Sequence, residues 1–191
     1  MRILLALLRI LPPELAHSFA LHALKFLHAI KLTDVFFPFR LPEDPSNIGG
    51  LVFRNKLGLA AGLDKNGDFI DSLGALGFGF IEVGTITPKP QYGNQKPRIF
   101  RFPDQEAIVN RLGFNNKGVD YLVDRIKKRN YKGILGVNIG ANKDSLGQKR
   151  VDDYIECFMK VSAYADYISV NISSPNTPGL RSLHSKENFL P

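Results

Sequence analysis

Asn171-Ile172-Ser173-Ser174-Pro175-Asn176-Thr177-Pro178-Gly179-Leu180 follows directly on a short apolar run that ends at Val170. A carboxamide offers a carbonyl acceptor beside two N–H donors, which matches the alternating C=O and N–H edge of a pyrimidine or other cyclic amide. Ser174, between Asn171 and Asn176, adds a hydroxyl. Ser, Asn and Pro are also ordinary turn residues, so the spacing alone fits a plain loop as well. A second stretch, Thr87 to Gly118, is long for a strand-to-helix connection, is stiffened by Pro88, Pro90, Pro97 and Pro103, and ends near Asn110-Arg111-Leu112-Gly113-Phe114-Asn115-Asn116. It reads either as a functional lid or as a decorative insertion turning at Tyr92-Gly93-Asn94.

Such loops need rigid elements beneath them. Leu57 to Ala61 is a short apolar run that ends in Gly62-Leu63-Asp64-Lys65-Asn66-Gly67, and Phe69, Ile70, Leu73 and Leu76 then take helical spacing up to Gly77. Phe80 to Thr85, Ile134 to Asn138 and Tyr167 to Asn171 supply three more strands, after a short strand-like piece at Leu51 to Lys56. Val119, Leu122, Val123 and Ile126 mark one intervening helix; Tyr154, Ile155, Phe158, Met159 and Ser162 mark another. Strands read as apolar on both faces and alternating with helices predict an α/β fold with a helix-covered parallel sheet, which binds ligands at the strands' carboxyl ends. The Gly62 loop lacks the G-x-G-x-x-G turn of a dinucleotide fold, so the expectation is a (β/α)8 TIM barrel. Such barrels need about 250 residues, so four strands predict only the first half, a truncated barrel with two open edges.

Met1 to Lys31 reads as two helices broken at Pro12-Pro13. In the second, Leu15, Phe19, Ala23, Phe26, Leu27 and Ile30 form an apolar stripe that fits either a membrane interface or packing on the chain's own domain. A proline-rich connector follows. The predicted organisation is a helical extension over residues 1–46 and a half-barrel over 47–191.

Composition narrows the function classes. Lys and Arg number 25 against 18 Asp and Glu, a formal charge of +7, with 44% hydrophobic residues and one cysteine. A disulfide scaffold and a disordered chain are both excluded. The longest uncharged N-terminal run, Ile3 to Leu8, is too short to span a bilayer, and Arg9 with Pro12-Pro13-Glu14 breaks a signal-peptide pattern. Net charge suits an anionic membrane or a nucleic acid without choosing between them. Arg125, Lys127, Lys128, Arg129 and Lys132 read as cations favoured by a helix C-terminus. Cys157 reads as a buried small residue, and His22 and His28 lack partners for a metal, so no metal is predicted.

Five motifs in order resemble one family. Ala60 to Gly67, Glu82-Val83-Gly84-Thr85-Ile86-Thr87-Pro88, Asn110 to Asn116, Val137-Asn138-Ile139-Gly140 and Asn171 to Leu180 look like dihydroorotate dehydrogenase, over almost the whole chain. The N-terminal extension and Ser174, where the soluble class usually has cysteine, resemble the quinone-dependent class. The resemblance implies FMN across the strand ends, touched by Ala61, Gly62, Lys65, Thr85, Asn138 and Asn171. It implies dihydroorotate contacts from Lys65, Asn110, Arg111, Leu112, Gly113, Phe114, Asn171 and Asn176. Ser174 would take a proton from C5 while hydride leaves C6 for flavin N5, with the proton passing onward in a site screened from water. His17 and Arg101 match quinone-site positions under the N-terminal helices. The implied protein acts in pyrimidine biosynthesis, is peripheral to a bacterial inner membrane on its cytoplasmic side, is monomeric when full length, and binds no nucleic acid. Another flavin-dependent barrel oxidoreductase and an inert truncated fragment are the competing readings.

Overall fold

The computed structural model describes residues 8–38, 41–177 and 179–184. Most of the first expected N-terminal helix, and Pro178 of the serine loop, lie outside the described residues; Leu8 to Ile10 are helical. In chain order the elements are helix α1 (Pro13–Ala29), helix α2 (Thr33–Phe36), strands β1 (Ser46–Ile48), β2 (Leu51–Phe53) and β3 (Gly58–Leu59), helix α3 (Ile70–Gly74), strands β4 (Phe80–Ile86), β5 (Ile99–Phe102) and β6 (Ala107–Asn110), helix α4 (Val119–Lys127), strand β7 (Ile134–Ile139), helix α5 (Gln148–Val161) and strand β8 (Tyr167–Val170).

The four expected strands form one parallel sheet in the order β3-β4-β7-β8. Each new strand joins the same edge, whereas a doubly wound sheet reverses its order at a switch point. The strands are apolar on one face only, which corrects the two-faced expectation. Ile81, Val83, Leu135, Val137 and Ile139 are fully buried in the core they form with α3, α4 and α5. Alternation puts Phe80, Glu82, Asn138, Tyr167 and Ser169 on the other face. Glycines and aromatics at these alternating positions had hidden the polar face in the sequence.

Helix α4 buries the predicted stripe of Val119, Leu122, Val123 and Ile126. In α5 the buried line is Arg150, Asp153, Cys157 and Val161; of the expected stripe Tyr154 packs against the core, while Ile155, Phe158 and Met159 are exposed. Cys157 is fully enclosed, and burial pushes its thiol up to about 12, in keeping with an inert core residue. Helix α1 starts at Pro13, whose fixed φ suits a first turn and whose missing N–H costs nothing there. It docks through Ala16, Leu21 and Leu24, while Leu15, Phe19 and Phe26 of the predicted stripe face outward. The helix thus has a packed face and, among the described residues, an exposed apolar one.

The stretch from Thr87 to Gly118 is more ordered than a lid of irregular backbone. Strands β5 and β6 pair antiparallel from Ile99↔Asn110 to Phe102↔Ala107 across a short turn at Pro103–Gln105. The signal was present in the alternation of Ile99-Phe100-Arg101-Phe102 before a proline. A second hairpin, β1 with β2, turns at Gly49-Gly50, both with positive φ, and begins inside the expected connector. Its Phe53 packs edge-on against Phe80 at 5.1 Å, at the amino end of the sheet.

Leu122 is wholly enclosed between α4 and the sheet. Leu122→Ala should lower unfolding stability in denaturant by about 2–5 kcal/mol. A loss below about 1 kcal/mol would mean that α4 is not packed as described.

Candidate functional site

At the carboxyl ends of three neighbouring strands the sheet lines up Thr85, Asn138 and Asn171. The Asn171 amide donates to Thr85 Oγ1 at 3.1 Å, and the Thr85 hydroxyl donates to Asn138 Oδ1 at 2.5 Å. The Asn138 amide then donates to Glu82 Oε1 at 2.8 Å, while Tyr167 and Ser169 both donate to Glu82 Oε2 at 3.0 Å. Every acceptor oxygen of this carboxylate is therefore engaged, which satisfies the demand of a charged group inside a fold. The Glu82 charge and hydrogen bond reinforce burial in raising the Tyr167 hydroxyl above its ordinary range. Gly84 sits beside this row with φ +111°, and a Cβ there would lie 2.3 Å from the Asn138 carbonyl oxygen. Only glycine fits that approach.

The Gly62 loop closes onto the same end. Gly62 N–H donates to Gly84 O at 2.8 Å, and Gly84 N–H donates to Asp64 O at 3.1 Å. Asp64 organises the loop by accepting from the backbone N–H groups of Asn66, Asp68 and Phe69, although burial outweighs these bonds and raises its carboxyl. Lys65 curls back so that Nζ donates to Gly62 O at 2.7 Å. Burial, then the nearby Arg98 charge, lowers the lysine's pKa.

Asn116 locks the long insertion to the sheet. Its amide donates to Thr87 Oγ1 at 2.8 Å and Phe114 O at 2.7 Å, and its oxygen accepts from Gly118 N–H at 2.8 Å. Asn142 adds bonds to Lys89 O and Gln91 Oε1, both 2.9 Å. Gly113 and Phe114 both have positive φ, and the Phe114 ring lies 3.2 Å from an ideal Cβ at Gly140, beside Thr85. Asn110 ends β6 exposed, and Arg111 donates to Pro97 O at 3.0 Å. In the loop after β8, Ser174 Oγ accepts from Asn176 N–H at 3.3 Å, and Asn171 Oδ1 accepts from Ser173.

A cavity of about 700 Å3 lies between α1 and the Gly62 loop, lined by His17, Lys65, Arg98, Leu112 and Asn115 among others. Arg98, itself buried, donates to Glu14 at 2.7 and 3.0 Å and to Tyr92 O at 2.6 Å, tying α1 to the β5 hairpin. Burial would raise the Glu14 carboxyl, but Arg98 and Lys96 outweigh it and hold it below its ordinary value. Arg101 donates Nη1 to the carbonyls of Leu8, Arg9 and Leu11, clasping the segment before α1.

The structure therefore brings together Thr85, Asn138 and Asn171, seats Ala61 and Gly62 beside Gly84, and puts Lys65, His17 and Leu112 on one cavity. Arg101 and Asn110 are not among the residues lining that cavity. Sequence reasoning gave no role to Glu82, Asp64, Asn116, Asn142 or the Glu14–Arg98 pair. Glu82, Asp64 and Asn116 fall inside the family-like motifs, but the partners that Glu82 and Asn116 reach across the fold lie 29 to 87 residues away.

A family model described as dihydroorotate dehydrogenase matches residues 45–190. The chain belongs to the dihydroorotate dehydrogenase family. Among curated family members, it is 58% identical over 173 residues to dihydroorotate dehydrogenase (quinone) of Cellvibrio japonicus (strain Ueda107), covering 91% of this chain and 50% of that protein. It is 54% identical over 177 residues to the protein of the same name from Escherichia coli O1:K1 / APEC, covering 93% and 52%. The crystal structure of DHODH from Eimeria tenella in complex with ferulenol superposes with a TM-score of 0.79 at 43% identity, covering 93% of this chain and 48% of that one. The ligand-free Eimeria tenella structure gives 0.77 at 42%, covering 93% and 50%. The chain spans about half the length of the curated relatives it matches.

Burial, then the Lys65 charge, lowers the His17 pKa below its ordinary 6.5, with Glu14 opposing. The folded state thus prefers the neutral ring, so its contribution to stability is complete above 6.5 and is lost as pH falls through the lowered value. Amide exchange across α1, corrected for intrinsic rates, should accelerate on acidification from about pH 7.5 to 5, and His17→Gln should flatten that response. An identical profile in both proteins would show that His17 does not carry the effect.

Proposed function

We propose that this chain supplies the first half of a flavin-dependent (β/α)8 barrel that oxidises (S)-dihydroorotate to orotate and delivers the electrons to a quinone. The observation that carries the reading is the row of Asn171, Thr85 and Asn138 at the strand ends, with the Lys65 ammonium turned in above Gly62. Planar rings with alternating acceptors and donors match such amides, and a lysine offsets negative charge on them. Family membership, monotonic strand order and the match to solved relatives support the barrel.

The donor set fits a flavin, and within the family FMN is the form we assign. Ala61, Gly62, Lys65, Thr85, Asn138 and Asn171 would hold it, the missing side chain at Gly84 leaving room for the close contact between strands beneath. Bound FMN supplies a two-electron acceptor that no side chain provides. Dihydroorotate is held by Lys65, by Asn171 and Asn176, and by the backbone and side chains from Asn110 to Phe114, including Arg111 and Leu112. Ser174 accepts the C5 proton. A neutral hydroxyl is a weak base, so the proton must pass onward along hydrogen bonds shielded from bulk water. The β5–β6 insertion, fastened by Asn116, provides the shield.

Residues 1–46 form the quinone-facing extension and residues 47–191 the half-barrel. His17 lines the cavity under α1, where burial favours its uncharged ring, and Arg101 fixes the backbone at its approach. An apolar quinone dissolved in lipid favours an enzyme lying on the membrane, and the outward face of Leu15, Phe19 and Phe26 suits the cytoplasmic surface of a bacterial inner membrane. No helix among the described residues is long and apolar enough to cross a membrane. The complete enzyme acts in pyrimidine biosynthesis as a monomer.

A full-length enzyme carrying this segment in place of the matching half of the Cellvibrio japonicus relative provides the test. Ser174→Ala should slow anaerobic flavin bleaching by dihydroorotate about 10²–10⁴-fold with orotate affinity nearly unchanged. Removal of residues 1–31 should abolish quinone reduction while sparing that bleaching. Unchanged bleaching in the serine variant would remove Ser174 from the chemistry, and unimpaired quinone turnover without residues 1–31 would remove the α1 cavity from it.

A further inference from the structure

A second, smaller cleft of about 170 Å3 opens where the end of α1 meets the end of α4, on a different set of residues from the α1 cavity apart from Asp68 and Phe69. Five basic side chains line it: Lys25 and His28 from α1, and Arg125, Lys128 and Arg129 from the end of α4. The sequence placed the α4 cations at a helix C-terminus, where the dipole alone accounts for them. It gave no sign that two basic residues a hundred positions earlier join them.

The acids of this cleft are already engaged. Asp68 accepts from Tyr121 at 2.6 Å and pairs with Lys117 at 3.1 Å and Arg125 at 3.3 Å. Asp71 accepts the backbone N–H groups of Asn130 and Tyr131, both at 2.9 Å. Lys25 Nζ donates to Asp68 O at 2.9 Å, and Arg129 to Ile126 O at 3.2 Å, each keeping further N–H donors. Among the described residues the exposed Lys128 ammonium makes no hydrogen bond or ion pair. The remaining donors and charge favour an anion with several oxygens.

The apolar surface beside the cleft identifies the anion's carrier. Lys25 and Ala29 line the cleft, and their neighbours Phe26 and Ile30 are 63% and 46% exposed, continuing the outward face begun by Leu15 and by Phe19 at 56%. An amphipathic surface that buries these rings among acyl chains brings the cleft to headgroup depth. We propose that the cleft between α1 and α4 binds the phosphate of an anionic phospholipid, so that residues of the half-barrel as well as α1 fix how the protein sits on a membrane. This deepens the membrane reading of α1 given above and rests on it.

Vesicle co-sedimentation of the 191-residue chain tests the assignment, using phosphatidylcholine alone or with about 30% phosphatidylglycerol. The chain should prefer the anionic vesicles, and the double variant Lys128→Gln, Arg129→Gln should lose tenfold or more of that affinity, about 1 kcal/mol being expected per headgroup-facing cation. A control of equal charge loss, Lys143→Gln with Lys149→Gln, should lose less than about threefold. Circular dichroism melting of each variant confirms that it is folded. Equal losses in the two double variants would mean diffuse attraction without a site, and equal binding to both vesicles would mean apolar contact alone; either result overturns the proposal. Binding of inorganic phosphate by the chain with no preference for anionic vesicles would make the cleft a soluble-anion site and overturn it too. Failure of the underlying α1 reading is separately visible, because Phe19→Ser with Phe26→Ser would then leave vesicle binding of both kinds unchanged.

Discussion

Parallel pairing of β4 with β7, and of β7 with β8, sets Gly84 opposite Asn138 and Asn138 opposite Ser169. That register is the constraint on which the site depends. Side chains alternate along a strand, so a slip of one residue would send Asn138 into the apolar layer and bring Val137 to the polar face. The apolar layer resists the slip, because Ile81, Val83, Leu135, Val137 and Ile139 are all withdrawn from water under the helices. Hydrophobic burial on one face thereby fixes the geometry of hydrogen bonds on the other. The Glu82 carboxylate gathers Asn138, Tyr167 and Ser169 and makes the polar face a connected unit. Carboxamides held this way are ordered by the fold itself, before any ligand could order them.

Above this layer, charge is arranged against the preference of burial. Lys65 and His17 both lie where desolvation disfavours their charged forms, and each feels further positive charge, His17 from Lys65 and Lys65 from Arg98. Arg98 is in turn held by Glu14, and the Glu14 and Asp64 charges oppose the lowering at Lys65 without outweighing it. Strain of this electrostatic kind concentrates at ligand sites, where an anionic or electron-rich partner relieves it. The same Glu14–Arg98 pair holds α1 in place, so the wall of the cavity and its electrostatics share one interaction.

Much of this was legible along the chain. The strand-and-helix rhythm gave the parallel sheet, Pro12-Pro13 gave the start of α1, and the motifs at Ala60, Glu82, Asn110, Val137 and Asn171 gave the family and the row of amides. Local patterns suffice for these because each rests on residues within one turn, one strand or one loop. The β5–β6 hairpin was missed because four prolines within the stretch outweighed a short alternation; the face of α5 was misassigned and that of α1 left open between two readings, because apolar periodicity reports a stripe without saying what covers it.

The sequence by itself determined which segments become strands and helices, where the glycines permit close approach, and which residue types are available for chemistry. Tertiary structure decided which of them meet. Glu82 with Ser169, Asn116 with Thr87, Glu14 with Arg98, and Lys25 with Lys128 are each separated by tens of residues and become neighbours only when the sheet closes its register and α1 docks. The physical reason is that local propensity acts over a few bonds, whereas desolvation and charge pairing act across space and exist only once the chain has folded.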